Sequence, residues 1–163
     1  MRVQLSMKKI TALISGILSL FSFGQPLLLK TGVFLSTSRI VLYSNKVLAE
    51  DSLFYFEKGN KKFDANNCLG AIDDFTKAIE TNPNFSVAYY NRAMCKGRLG
   101  DNNGEISDYD KAIQINPNYL QAYANRGFAK KDAGDLDGAC SDWRKVVLLG
   151  NKDANQWISY FCR

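Results

Sequence analysis

The chain has 163 residues, 21 basic and 16 acidic side chains, a formal charge of +5, and no histidine. That length holds about one domain, and the missing histidine removes the commonest general base and the imidazole ligand of mixed cysteine–histidine zinc sites. The charge is uneven: residues 1–49 carry six basic side chains (Arg2, Lys8, Lys9, Lys30, Arg39, Lys46) and no acid, which leaves 15 basic against 16 acidic residues in 50–163. The part that folds is therefore near neutral, at −1, and lacks the basic footprint of a phosphate-binding protein, so nucleic acid is not an expected partner.

At the N-terminus, Lys8 and Lys9 precede ITALISGILSLFSFGQPLLL, twenty uncharged residues from Ile10 to Leu29. A basic stretch before an apolar run is the pattern of an export signal, and the run is also long enough to be an uncleaved membrane anchor. Met7 offers a second start, giving MKKI. Small residues suited to cleavage stand at Ser22 and Gly24 and again at Val47 and Ala49. The second site is favoured because acidic residues begin there, although it lies far from the apolar run. Seven serines and no acid in 1–49 also fit a transit peptide, a weaker reading. Residues 1–49 are thus expected to be an address, placing residues 50–163 in an exported compartment (periplasm or lumen-like) or tethering them to a membrane through residues 10–29.

From residue 52 the sequence repeats. Windows 52–85, 86–119 and 120–153 align Tyr55, Tyr89 and Tyr123, then Gly59, Ala93 and Gly127 four residues on. Further along, Gly70, Gly104 and Gly138 share a place, as do Phe75, Tyr109 and Trp143. Asp74, Asp108 and Asp142 precede those aromatics, and Lys77, Lys111 and Lys145 follow them. The phrase AYYNR (88–92) returns as AYANR (122–126). Large and small residues at i and i+4, then Ala71/Phe75/Ala78 at i, i+4 and i+7, predict two amphipathic helices per copy. Breaks are expected at Asp64–Asn67, Gly100–Asn103 and Gly134–Asp135. Asn82-Pro83-Asn84 and Asn116-Pro117-Asn118 end the first two copies. One hairpin cannot bury its apolar face alone, whereas stacked hairpins can.

On these residues the chain resembles the tetratricopeptide-repeat (TPR) family, with an aromatic residue in place of the family's first tryptophan. The resemblance covers residues 52–153, or 102 of 163. The wording NRGxAKxxxGDxxGA is similar to repeats of bacterial exported and membrane-associated proteins. The resemblance implies an all-α fold, an α-solenoid of three hairpins (52–85, 86–119, 120–153) plus a C-terminal capping helix over 153–162. Three departures stand out. Glu105 occupies the place of Ala71 and Ala139, so the second hairpin either packs more loosely or turns that position outward. Gly150-Asn151 replaces the closing proline. Phe161 stands at the place of Gly or Ala, allowed because a last helix has no successor.

TPR geometry also implies a concave groove lined by the first helix of each hairpin. The positions facing it are Phe56, Asn60 and Phe63, then Tyr90, Asn91, Met94 and Arg98, then Gln121, Asn125, Phe128 and Lys131. Asn91 and Asn125 are equivalent, and an amide can match a peptide backbone with both donor and acceptor; the alternative is bonding within the protein. Phe56, Tyr90, Met94 and Phe128 offer apolar pockets or inter-repeat packing. Arg98 and Lys131 either attract an acidic partner or stay solvated. The lysine and arginine with which related grooves clamp chaperone tails are absent, so that ligand is not expected.

Antiparallel stacking brings Cys68 toward Cys95 and Cys140 toward Cys162, so two disulfides are expected in an oxidising compartment, the alternative being four buried thiols. The cysteines form no CxxC pair, and no metal site is expected. The repeated aspartates are expected on the exposed helix face beside lysines at i+3. DNNGE (101–105) is not a calcium loop, because its glycine falls at the fourth place and a helix follows directly. With no nucleophile–base pair or phosphate cradle, no catalysis, cofactor or small-molecule substrate is expected. The expected function is a non-catalytic module that binds a peptide or protein in its groove and supports assembly of a membrane or extracytoplasmic complex. The alternative is a structural subunit that assembles through its convex face or cap.

Overall fold

The computed structural model describes residues 37–162, with side chains from Leu48 to Cys162. The apolar run Ile10–Leu29 and the first cleavage point, Ser22 and Gly24, lie outside the described residues. The chain divides after Ser44, and the unit from Asn45 onward contains the repeats. Among the described residues the regular structure is entirely helical: α1 Thr37–Asp64, α2 Cys68–Thr81, α3 Ser86–Arg98, α4 Asn102–Ile115, α5 Leu120–Asp132, α6 Leu136–Leu148, a 3₁₀ turn Lys152–Ala154, and α7 Asn155–Phe161. None of these helices is long and apolar enough to cross a membrane. The first helix begins at Thr37 rather than near Ser52, so the Ala49–Glu50 junction lies inside it.

The breaks fall within two residues of the expected places, with Asn102 and Asn103 belonging to α4 rather than to the break. Asn67, Asp101 and Asp135 cap α2, α4 and α6 by accepting hydrogen bonds from the backbone N–H of Gly70, Gly104 and Gly138 at 3.0, 2.9 and 2.9 Å. Asn66, Gly100 and Gly134 hold the left-handed conformation that ends the first helix of each hairpin, at φ 58°, 81° and 87°. Between hairpins, the Asn82 and Asn116 side chains accept from Asn84 and Asn118 N–H at 3.2 Å. After the third hairpin Gly150 turns the chain, and Asn151 accepts from Asp153 N–H at 3.0 Å.

Each hairpin closes on one buried ring. Phe75, Tyr109 and Trp143 are 0%, 1% and 0% exposed, and each is faced by the small residue of its partner helix. A methyl group on Gly59 would come within 2.6 Å of Phe75, and one on Gly127 within 2.7 Å of Trp143 Cδ1. Hairpins join through small residues: Ala78, Ile79 and Ala88 form one cluster, and Ala112, Ile113 and Ala122 belong to the next. At the end of the stack, Ala154 is buried beside Ala124 and Val146, and Trp157 and Phe161 cover Trp143 at 6.2 and 5.5 Å between ring centroids.

The repeated aspartates are not on the exposed face. Asp74, Asp108 and Asp142 are only 1%, 3% and 3% exposed, because each turns toward the basic residues of its own hairpin's first helix. Lys62 Nζ lies 2.6 Å and Lys58 Nζ 3.5 Å from Asp74. Arg92 donates through Nε and Nη2 to Asp108 at 2.8 and 2.7 Å, with Lys96 at 2.8 Å. Arg126 does the same to Asp142 at 2.8 and 2.5 Å, with Lys130 at 3.0 Å. A third nitrogen reaches back to the preceding hairpin: Arg92 Nη1 donates to Thr76 Oγ1 at 3.0 Å and Arg126 Nη1 to Asp110 Oδ1 at 2.6 Å. The phrase AYYNR thus supplies a buried alanine for the junction and an arginine that ties two hairpins together. The i+3 lysines go elsewhere, Lys77 and Lys145 over the rings of Tyr55 and Tyr123 and Lys111 to Gln114.

Candidate functional site

The first helices α1, α3 and α5 carry the positions expected to face a groove, and the structure gives most of them neighbours within the protein. Phe56 packs against Phe75 and Phe85 at 5.8 and 4.8 Å. Asn91 Nδ2 donates to Asn60 Oδ1 at 2.8 Å, and Asn125 Nδ2 donates to the Tyr90 hydroxyl at 3.0 Å. Both amides therefore bridge consecutive hairpins. Tyr90 rests on Tyr109 and Tyr119, and Phe128 on Trp143 and Trp157. The two cations are also engaged. The Arg98 guanidinium lies 4.0 Å over the Phe63 ring and donates to Asn66 Oδ1 at 3.3 Å. Lys131 pairs with Asp132 at 2.5 Å and lies over Phe161. Gln121 is exposed.

Four of the expected residues meet. Met94 and Arg98 from α3 and Asn125 and Phe128 from α5 line a cleft of about 420 Å³, closed from below by Glu105 and Tyr109 of α4 and rimmed by Asp132. Phe56, Asn60, Phe63, Tyr90, Asn91, Gln121 and Lys131 are not on its walls. The cleft arises from an exchange between copies. Hairpin one pairs Phe63 with Ala71 and hairpin three pairs Lys131 with Ala139, but hairpin two pairs Gly97 with Glu105. The Glu105 carboxyl group fills the space a side chain at 97 would take, since a methyl group on Gly97 would fall 2.5 Å from Glu105 Cδ. Glu105 therefore neither loosens the hairpin nor turns outward. Its departure from the alanine place is visible in the sequence, but its partner Gly97 was the missing half of the signal.

The cleft floor is polar. Burial raises the Glu105 carboxyl above its ordinary value of 4.5; the hydrogen bond from Tyr109 works against that shift and the charge of Asp132 adds to it. Burial and the neighbouring Glu105 charge together push the Tyr109 phenol upward, so it stays a neutral donor, with Asn125 as its other partner. No lysine or arginine nitrogen forms a salt bridge with Glu105 among the described residues.

The cysteines divide. Cys140 and Cys162 are joined, tying α6 to the end of α7. Cys68 and Cys95 are free, buried thiols of one core cluster rather than a second disulfide. Burial, reinforced by Cys68 alongside, pushes the Cys95 thiol up to about 12, and a thiol held protonated is a poor nucleophile for disulfide formation. No group of three or more metal-binding side chains occurs among the described residues.

A family model described as a tetratricopeptide repeat matches residues 75–106. No curated protein matches the sequence. Among solved structures, the first TPR of Spaghetti (RPAP3) bound to HSP90 peptide SRMEEVD is 31% identical, over 70% of this chain and 92% of that one, with a TM-score of 0.66. The chain belongs to the tetratricopeptide-repeat family. The Arabidopsis OM64 TPR domain is 28% identical, over 70% of this chain and 96% of that one, with a TM-score of 0.66. MamA is 26% identical, over 72% and 66%, with a TM-score of 0.61. As a TPR protein the chain is a protein-interaction module, and its cleft lies between the helices of two consecutive TPR hairpins.

Proposed function

We propose that this TPR protein holds an extended segment of a partner protein in the α3–α4–α5 cleft and so supports assembly of a complex outside the cytoplasm, without catalysing a reaction. One observation carries the reading: the wall-lining residues Met94, Asn125 and Phe128 combine apolar surface with an amide on consecutive TPR hairpins, the mixture that grips a peptide side chain and orients its backbone. The peptide complex of the Spaghetti domain supports it by similarity. The acidic end of that peptide is not the proposed ligand here, because Arg98 and Lys131 are held by Phe63, Asn66 and Asp132 and are not free to form a carboxylate clamp. The basic stretch before Ile10–Leu29 and the Cys140–Cys162 disulfide support export or membrane tethering; N-terminal sequencing of the mature chain and a phosphatase fusion test it.

The alternative is a structural subunit that docks through its cap. It draws on Leu148 and Tyr160, which are 80% and 77% exposed near the end of the stack. Hydrogen exchange of the full chain with and without a random ten-residue peptide library separates the two. Protection of α3 and α5 around the cleft supports the groove. Protection limited to α6 and α7, or none with any peptide, overturns it.

A further inference from the structure

We infer that the cleft selects its partner segment by a lysine or arginine side chain, which Glu105 receives. The inference rests on the groove reading above and adds the partner's chemistry. A carboxylate placed only to fill the space at Gly97 would be a poor filler: it is half-buried, its proton affinity is raised by burial and by Asp132, and among the described residues no cation forms a salt bridge with it. At the equivalent places the other two hairpins carry Phe63 with Ala71 and Lys131 with Ala139.

A cation entering the cleft removes that cost. Its charge would meet Glu105, and its methylene stem would lie between Met94 and Phe128. The Tyr109 hydroxyl already donates to this carboxylate, so the acceptor is held in place before any ligand arrives. Arg98 does not compete for it, because its guanidinium is stacked on Phe63 and bonded to Asn66. An acidic side chain in the same position would face the Glu105 carboxylate.

The test uses four labelled ten-residue peptide sublibraries, random except for a fixed central lysine, arginine, norleucine or glutamate, on the immobilised full chain. The lysine and arginine pools should be retained about tenfold better than the norleucine pool, with glutamate lowest. Glu105→Gln should bring the lysine-to-norleucine ratio close to one, as should Glu105→Ala, the residue of both other hairpins. Glu80→Gln, which removes the same charge from the exposed face of α2, should keep the ratio. Equal retention of all pools with protection at the cleft overturns the cation inference and leaves the groove reading intact. A preference that survives both Glu105 changes, or disappears with Glu80→Gln, also overturns it, since the charge would then act from elsewhere. No protection of the cleft by any pool overturns both.

Discussion

The seam of buried aspartates and the α3–α4–α5 cleft are built from the same helices but obey opposite rules. Along the seam every hairpin has the same parts: an aspartate, and two basic residues from the facing helix. In the cleft the middle hairpin differs from its neighbours at both facing places, Gly97 and Glu105. What joins one hairpin to the next has to be copied, because each must dock on the same surface. What meets a partner is free to differ. On this view, changes at the seam should cost stability, and changes in the cleft should alter recognition while leaving the fold.

The largest effect is expected from Asp108→Ala. It strands Arg92 and Lys96 without their buried acceptor and frees the arginine that reaches Thr76. We expect a loss of about 3 kcal/mol in urea unfolding. Arg92→Lys should lose less, since one charge remains but the two-pronged geometry and the bond to Thr76 do not. A seam variant that unfolds no earlier than the parent protein would break the comparison.

Next is Gly127→Ala. The added methyl meets Trp143, the most heavily packed ring of the third hairpin, and should cost about 1–3 kcal/mol in thermal unfolding. Ala93→Gly is the reciprocal change at the equivalent place in hairpin two. It should cost about 1 kcal/mol, through helix propensity and a lost contact with Tyr109. If Gly127→Ala were neutral, the small places would not be set by the rings they face.

These contrasts mark what was legible in the sequence. The breaks between helices and the small-to-aromatic docking could be read because each depends on local spacing that recurs at the same period. The burial of Asp74, Asp108 and Asp142 could not. An aspartate with lysine three residues on looks like a surface pair, and only the facing helix, sixteen residues away for Arg92 and Arg126, reveals the true partner. The asparagines Asn91 and Asn125 were legible as a ladder, but their bonds to Asn60 and Tyr90 depend on how consecutive hairpins meet. The cleft was half legible: Met94, Arg98, Asn125 and Phe128 follow from helical phase once TPR geometry is assumed, while Glu105 and Tyr109 come from the second helix of the hairpin and enter only through the gap at Gly97.

The smallest effect sharpens the comparison most, because the two regions should respond to pH with opposite sign. Burial alone would raise the Asp74 carboxyl, but Lys62 and Lys58 outweigh it, and the group sits below its ordinary value of 3.8. Folding therefore favours its ionised form. The stabilisation is present above about pH 4 and is lost as pH falls through the lowered value. Glu105 is displaced the other way, above 4.5, so folding favours its protonated form. That contribution is present below its ordinary value and lost as pH rises through the raised one, because the unfolded chain ionises first. Relative to the parent protein, Asp74→Asn should thus be at its worst near neutral pH and nearly equal in strong acid. Glu105→Gln should be at its best near neutral pH, by on the order of 1 kcal/mol or less, with the advantage vanishing below about pH 4. Urea midpoints across that range test both signs. Parallel curves for the two variants would mean that the carboxylate in the cleft is held as firmly as those in the seam, and that the middle hairpin is no exception.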